Sequence, residues 1–375
     1  MLAVKIVFWA SLGLLVWTHV GYPIAAALAA RVRRRRVASS EIEPSVSVIV
    51  AAHDEADVIE RRVRNLLELD YPADRIEVVV ASDASTDETE EIVERLAESD
   101  HRVRLVRCPR GGKVAAQNRG VAESSGEIVA FSDANAVWQG DALRKLVRSF
   151  ADPAVGYVTG RASYEAADGT NREGAYWRFE LWLRAQESRL GSVTAGNGPI
   201  YAVRRADWFD QEPWCGHDLG LPYLMVQRGR RAVYDPDAVS VEKPSKDIED
   251  EYRRKVRMLR GAWVHVFRGM LRRVGPVYFV ELVSHRLLRY GSGILHVLLL
   301  VSNAALVGEG WIYQLAFSLQ LVWLLLAVAG RYRVPIPGAG LAFYYLVVTW
   351  ATLAGLARYV RFGPPLLWER IEGTR

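Results

Sequence analysis

Residues 45–57 read SVSVIVAAHDEAD, residues 76–89 IEVVVASDASTDET and residues 127–135 EIVAFSDAN. Each opens on a run of β-branched and small apolar residues and closes on carboxylates. The segments between them are polar and helix-like, and a further short run, RVRLVR, lies at 102–107. Apolar runs of this length, punctuated by polar segments, predict alternating strands and helices from Pro44 to about Lys243, and therefore a mainly parallel sheet flanked by helices. Ligands of such sheets sit beyond the carboxyl ends of the strands. His53, Asp54 and Glu55, then Asp83, then Asp133 are thus the first residues to examine. Three acids converging on one sheet edge raise one another's pKa unless a cation or a hydrogen-bonding ligand resolves them, and a metal-nucleotide does so. Asp87, at the head of the helical segment TDETEEIVERL, reads more simply as a helix cap.

Working outward, the chain of 375 residues has room for about two domains. Half of it is apolar and 24% is charged, which excludes a disordered, collagen-like or coiled-coil chain. Cys108 and Cys215 fit no zinc or disulfide spacing, as expected for a reducing compartment. The net charge of +5 is segregated: residues 310–330 and 338–357 carry no formal charge, and residues 1–30 carry only Lys5. Residues 6–30 are long enough to cross a bilayer, which takes roughly 20 residues as helix. The cluster Arg31 and Arg33 to Arg36 follows that stretch instead of preceding it, against a signal peptide. By the positive-inside rule it places the next region in the cytosol and the N-terminus outside.

Three more apolar stretches, about 291–307, 311–329 and 339–357, are each within reach of a span. Four spans put the tail outside, whereas its Arg358, Arg361 and Arg370 favour the cytosol, so one stretch is expected not to cross. Between these regions, residues 250–273 hold eight Lys/Arg against two acids, with Leu259, Trp263, Val266 and Met270 at helical spacing. They predict a basic amphipathic helix, lying flat on an anionic leaflet or packed on the soluble domain. The domains expected are 1–30 N-terminal transmembrane helix, 31–44 basic linker, 45–243 cytosolic catalytic domain, 244–290 interface helices, and 291–375 C-terminal transmembrane region and tail.

Seven pieces, in order, are SVIVAAHDEADVIERRVRNLLELDYP, VVVASDASTD, GGKVAAQNRGVAESSGEIVAFSDAN, YWRFELWLRAQESRLGS, GNGPIYAVRR, GHDLGLPYLMVQRGRR and RRKVRMLRGAW. Together, from about Ser45 through Trp263, they resemble the family 2 glycosyltransferases of the membrane-anchored branch similar to cellulose and hyaluronan synthases. The resemblance implies an α/β GT-A domain, a Rossmann-like nucleotide-sugar-binding fold, plus transmembrane helices. It also implies a divalent cation, Mg²⁺ or Mn²⁺, and inversion at the anomeric carbon.

Carried over by position, Ala51, His53, Glu55 and Asp83 correspond to the nucleoside pocket. His53 stands where the family usually has an aromatic residue, and an imidazole also stacks on a base. Lys113 and Asn118 correspond to the basic residue near the diphosphate, with a solvated surface lysine as the plain alternative for Lys113. GGKV lacks the first Gly and the Ser/Thr of a Walker A loop, so ATPase activity is unsupported. SDAN takes the place of the family's DxD, which makes Asp133 the metal ligand and Asn135 its weaker partner; hard cations take such oxygen donors and complete their shell with substrate phosphates.

Asp218 in GHDLG corresponds to the catalytic base, needed because a sugar hydroxyl is a poor nucleophile. The neighbouring His217 reads either as a second proton acceptor or as a helix cap, and Cys215 as a bystander. Arg254, Arg257 and Met258 stand where the processive synthases carry Gln, Arg and Trp. Arg257 is thereby assigned to the diphosphate, Arg254 and Arg260 to the acceptor side, and long processive synthesis is disfavoured. Trp177 and Trp182, with Glu180 and Glu187, line the acceptor side by resemblance, or pack in the core.

The function expected is transfer of a hexose from a UDP-sugar to a lipid or lipid-linked glycan acceptor by an integral protein of the cell or inner membrane. A processive exopolysaccharide synthase is the alternative within the enzyme class. A non-catalytic nucleotide-binding membrane scaffold is the alternative outside it, disfavoured because Asp133 and Asp218 are both present. Nucleic acid is not an expected partner, since the arginine clusters border the apolar stretches instead of interleaving with aromatics.

Overall fold

The computed structural model describes residues 1–164, 174–243 and 248–364, so Arg370 lies outside the described residues. Two compact units divide the described residues: those within 26–243 and 268–279 form one, and those within 1–25, 248–267 and 280–364 the other.

The first unit is built on eight strands: β1 (Val46–Ala52), β2 (Ile76–Asp83), β3 (Val103–Cys108), β4 (Ile128–Asp133), β5 (Val137–Trp138), β6 (Val155–Tyr164), β7 (Tyr201–Arg204) and β8 (Arg231–Glu242). Their order in the sheet is β3-β2-β1-β4-β7-β6-β8-β5. β1 is buried along its whole length, as expected of a central parallel strand. It pairs in unbroken register with β2 and β4, so that Ala51 lies between Ala81 and Asp133. The strand-end acids therefore share one edge. Parallel pairing holds for β3-β2-β1-β4 and for β6-β8, and fails at β7, which is antiparallel to both β4 and β6, and at β5, which is antiparallel to β8. Tyr201 at the start of β7 faces Phe131 near the end of β4; a strand entering from the carboxyl-end edge can only run back down the sheet.

Alternate residues of β1 feed two cores. Val46, Val48, Val50 and Ala52 pack with Ile59, Val63 and Leu66 of the helix Ala56–Leu67, whereas Ile49 and Ala51 pack with Ala116 and Val121 of the helix Lys113–Ala122. Burying each such aliphatic side chain contributes about 1.5–3 kcal/mol. At Gly120 a Cβ would lie 2.7 Å from Ile49 Cγ2, so glycine lets that helix approach the strand closely.

Among the described residues four helices are long and apolar enough to cross a membrane: Leu2–Val32, Ser292–Glu309, Trp311–Arg331 and Ala339–Phe362. Large apolar side chains such as Trp311, Leu325 and Val301 are exposed on them, as a lipid environment permits. The basic helix spans Ile248–Phe267 and packs on Ala339–Phe362, which the sequence did not anticipate. A Cβ on Gly355 would meet Leu259 Cβ at 2.8 Å, and Phe267 stacks on Tyr359 at 5.5 Å. The apolar face at 259 and 263 thus meets another helix of its own unit. After Phe267 the chain rejoins the sheet unit, where the Arg268 guanidinium lies over Trp214 at 4.7 Å and Tyr278 Oη donates to Val193 O at 2.8 Å.

Candidate active site

The loop 196–200 supplies the point on which the charged residues converge. A Cβ built on Gly198 would lie 3.6 Å from Asp133 Oδ2, 3.7 Å from Asp218 Oδ2 and 4.0 Å from Lys113 Nζ. Asp133 arrives from the end of β4, Lys113 from the first turn of its helix, and Asp218 from the first turn of the helix His217–Gln227. Lys113 Nζ donates to Asp133 Oδ1. Attraction to Asp133, Asp218 and Glu242 outweighs burial and holds the Lys113 ammonium above its ordinary pKa, so it stays charged. Burial pushes the Asp218 carboxyl up; Lys113 works against that shift, and Asp133 adds to it. A carboxylate so raised, close to a fixed cation and on a helix N-terminus, is suited to accept a proton near neutral pH.

The other strand-end acid is arranged differently. Asp83 is fully buried, and its oxygens accept from Gly111 N at 2.7 Å, from Gly112 N at 3.0 and 3.1 Å, and from Arg110. It anchors the loop that leads into Lys113, with Gly112 at φ 86° in the left-handed region. His53 and Glu55 bracket the neighbouring turn. His53 Nε2 lies 3.5 Å from Asp54 Oδ2 and its buried Nδ1 meets no partner among the described residues; Glu55 precedes the helix Ala56–Leu67, its own N–H donating to Thr89 Oγ1 at 2.8 Å. Asp87 is not the cap expected: the N-cap of the helix Thr89–Ser99 is Glu88, and Asp87, one residue earlier, accepts from Thr89 N at 3.0 Å while its other oxygen accepts from Ala56 N, tying two turns together.

Several expected roles meet other partners. Both ends of the Asn118 amide hydrogen-bond to the backbone of Gln211, at 2.8 and 3.2 Å, so Asn118 clamps that loop. His217 is not the helix cap: the N-cap is Gly216, and His217 is the first residue of the helix. Its ring lies among Phe131, Tyr201 and Trp208, its Nδ1 meets Tyr201 Oη at 3.0 Å, and burial pushes its pKa down to about 3. Cys215 is buried and its thiol pushed up to about 12, consistent with an inert group. Trp177 is half-buried against the core: its indole donates to Ala162 O at 2.9 Å and packs edge-on to Tyr164. Trp182 is exposed beside Phe179, while Glu187 is buried and accepts from Thr194 Oγ1 at 2.9 Å.

Arg254, Arg257 and Arg260 belong to the helical unit. Arg254 pairs with Glu251 at 2.8 Å, Arg257 is half-buried, and Arg260 donates to Gly363 O at 2.8 Å and Phe362 O at 3.2 Å, closing the end of the last helix. That use of Arg260 is structural.

Sequence reading passed over Gly198 and Arg62. Arg62 is buried over the Trp138 ring at 5.0 Å, donates to Asn65 Oδ1, and is pushed down to about 9 by burial. Asn65 in turn holds both Trp138 N and Trp138 O, so this buried pair braces the segment after Asp133.

For a hard cation, Asp133 and Asn135 are oxygen donors two residues apart, and the Asp218 carboxylate points to the same place. Among the described residues no three His, Cys, Asp or Glu side chains cluster as a self-sufficient metal site. The donor set fits an ion that completes its shell with substrate phosphates.

Residues 47–212 match the model of glycosyl transferase family 2. Residues 47–212 are thus similar to family 2 glycosyltransferases. It is 35% identical over 178 residues to the β-monoglucosyldiacylglycerol synthase of Synechocystis, covering 45% of this chain and 37% of that protein. It is 35% identical over 235 residues to the probable glycosyltransferase YdaM of Bacillus subtilis, covering 58% and 55%. The matches thus span about half or less of these curated relatives' length. Among solved structures, mannosyltransferase PcManGT of Pyrobaculum calidifontis, in complex with GDP-Man and Mn²⁺, superposes with a TM-score of 0.71 at 24% identity, over 94% of this chain and 99% of that one. The sheet unit therefore has the GT-A fold, accompanied by apolar helices.

Proposed function

We propose that the chain transfers a sugar from a nucleotide-sugar, expected to be a UDP-sugar, to a membrane-associated lipid or lipid-linked acceptor with inversion. The convergence of Asp133, Lys113 and Asp218 on Gly198 carries this reading. A single-displacement transfer needs one base on the acceptor hydroxyl and positive charge on the leaving diphosphate, and Asp218 and Lys113 supply those two functions. Asp133 and Asn135 would hold Mg²⁺ or Mn²⁺, which neutralises diphosphate charge when bound. The PcManGT complex contains Mn²⁺, and the Synechocystis relative is named for a diacylglycerol acceptor; both support the reading.

The acceptor receives one or a few sugars, because Arg254, engaged with Glu251, and Met258 stand where the processive synthases carry Gln and Trp. The sheet unit and residues 331–333 face the cytosol, and residues 308–310 face outward. Impermeant labelling of single cysteines at 308 and 332 in intact cells checks that orientation; labelling at 332 alone would reverse it.

The decisive experiment incubates the purified chain with UDP- and GDP-sugars and lipid extract, with and without chelator, and compares Asp218→Asn. Donor binding is expected to survive the substitution while turnover falls by at least about 10²-fold. Unchanged turnover in Asp218→Asn, or in excess chelator, would remove the base or the metal from the scheme.

A further inference from the structure

The helix Ala339–Phe362 has the length and apolarity of a span, yet its neighbours within the helical unit all lie at one level. Ser292–Leu306 and Trp311–Arg331 form a hairpin joined by the turn 307–310, where Glu309 pairs with Lys5 at 2.8 Å. The opposite end of that hairpin is made of the first turn of one helix and the last turn of the other. Both turns touch Ala339–Phe362. Gly293 N, in the first turn, donates to Thr352 Oγ1 at 3.0 Å, and a Cβ on Gly293 would lie 2.6 Å from Leu353 Cγ. A Cβ on Gly330, in the last turn, would lie 2.9 Å from Phe343 Cβ. Between these contacts the Tyr345 ring meets those of Trp323 and His296 at 5.9 and 5.5 Å. Residues 343 and 352 are separated by about 13 Å of helix, yet both sit at the same end of the hairpin. Ala339–Phe362 therefore runs across the base of the hairpin and not alongside it.

The basic helix Ile248–Phe267 leads to the same placement by a separate route. It runs parallel to Ala339–Phe362 over most of its length: Tyr344 Oη donates to Glu251 at 3.4 Å, Leu259 Cβ lies against Gly355, and Phe267 stacks on Tyr359 at 5.5 Å. That stretch carries Arg253, Arg254, Lys255, Arg257 and Arg260. Charged side chains are costly at the centre of a bilayer, so a helix held against this one along its length is kept out of the hydrocarbon middle. Chain connection agrees. Residues within 26–243 and 268–279 belong to one compact unit, so the basic helix leaves that unit at its start and returns to it at its end. A helix that begins and ends on one side of a membrane does not cross it, and neither does the helix packed parallel to it.

We propose that Ala339–Phe362 does not span the membrane but lies along the headgroup layer of the leaflet that residues 331–333 face, the cytosolic one in the orientation proposed above. Three crossings then remain: Leu2–Val32, Ser292–Glu309 and Trp311–Arg331. The stretch that the sequence expects not to cross is thereby identified as 339–357. Arg358 and Arg361 come to the same side as Arg31 and Arg33 to Arg36, as the positive-inside rule favours. The exposed side chains of the helix combine apolar Leu341, Trp350, Val360 and Phe362 with Arg358 and Arg361. That mixture fits a lipid surface bearing anionic headgroups, into which an interfacial helix sinks its apolar side chains.

The test places single cysteines in the full chain, with the buried Cys108 and Cys215 replaced by alanine, and needs no transferase activity. In intact cells an impermeant thiol reagent compares Gly308→Cys, Tyr332→Cys and Phe362→Cys. Position 362 is expected to label like 332 and unlike 308; labelling like 308 would overturn the proposal. If 308 and 332 exchange sides, the orientation proposed above fails, and position 362 still decides this proposal by which of the two it follows. Depth is read separately, from nitroxides at Leu341→Cys, Trp350→Cys and Val360→Cys in nanodiscs of phosphatidylglycerol and phosphatidylcholine, by relative access of oxygen and a water-soluble nickel chelate. All three should report one shallow depth, about 5–10 Å into the headgroup and acyl boundary. A crossing helix would separate 341 from 360 by about 28 Å and put 350 near the bilayer centre, and that profile would also overturn the proposal. Should Phe362→Cys fail to fold, Val360→Cys takes its place in the labelling.

Discussion

Asp83 at the end of β2 and Asp133 at the end of β4 flank the same strand at the same edge of the sheet, and their surroundings diverge. Asp83 has no exposed surface, and its oxygens are filled by two backbone amides and Arg110. Asp133 is a quarter exposed in its side chain; Lys113 takes one oxygen, and the other points toward Gly198 and Asp218. A buried carboxylate with its hydrogen bonds satisfied fixes backbone, whereas one left partly open holds charge ready for a ligand. The difference comes from the loop after β3, where Gly111 and Gly112 turn their amides onto Asp83 and in doing so set Lys113 beside Asp133.

The contrast can be broken most sharply at Asp133. Asp133→Ala should lower turnover by about 10²–10³-fold or more while the melting temperature moves little, because the partly exposed Lys113 can be solvated. Kinetics alongside thermal unfolding checks both halves, and a large stability loss with retained activity would invert the assignment. Asp83→Asn should do the reverse in kind: a stability loss of about 1.5–3 kcal/mol from weakened charge-assisted hydrogen bonds, accompanied by a higher KM as the 110–112 loop loosens. Denaturant midpoints and donor titrations resolve the two effects.

A smaller and finer distinction lies in the pH dependence of Asp218. Its folded-state pKa is raised by burial, so the folded chain binds that proton more tightly than the unfolded chain does. Ionised Asp218 therefore costs stability at neutral pH, a cost relieved as pH falls through the raised value, while the base form is lost over the same interval. The acid limb of kcat/KM should lie above the ordinary carboxylate range, and Asp218→Asn should raise the melting temperature. His217 does not contribute to that limb, since burial pushes it down to about 3 and keeps it neutral through the working range.

Much of the site was legible in particular residues. SDAN and GHDLG pointed to Asp133 and Asp218, and GGKV to Lys113, because strand ends and helix starts at one sheet edge bring such residues together whatever the loops do. Asn118 and Arg260 were not legible in their actual use: an amide or a guanidinium has several donors, and only the tertiary neighbours decide that these are spent on Gln211 and on the carbonyls of 362–363. Arg62 did leave a trace. It falls on the stripe Ile59, Val63 and Leu66 of an amphipathic helix, where a charge on the buried face announces a special partner, here the Trp138 ring.

By itself the sequence determined the alternating strands, the four apolar helices and the motif residues, because β-branched runs, hydropathy and short motifs are local properties that no later packing erases. Only the tertiary structure decided that β7 runs antiparallel, that the basic helix packs on Ala339–Phe362, and that Asp83 is buried against its own loop while Asp133 stays partly exposed. Each of these depends on which donors, acceptors and apolar faces meet across hundreds of residues, and hydrogen-bond satisfaction is settled only when every partner has been placed.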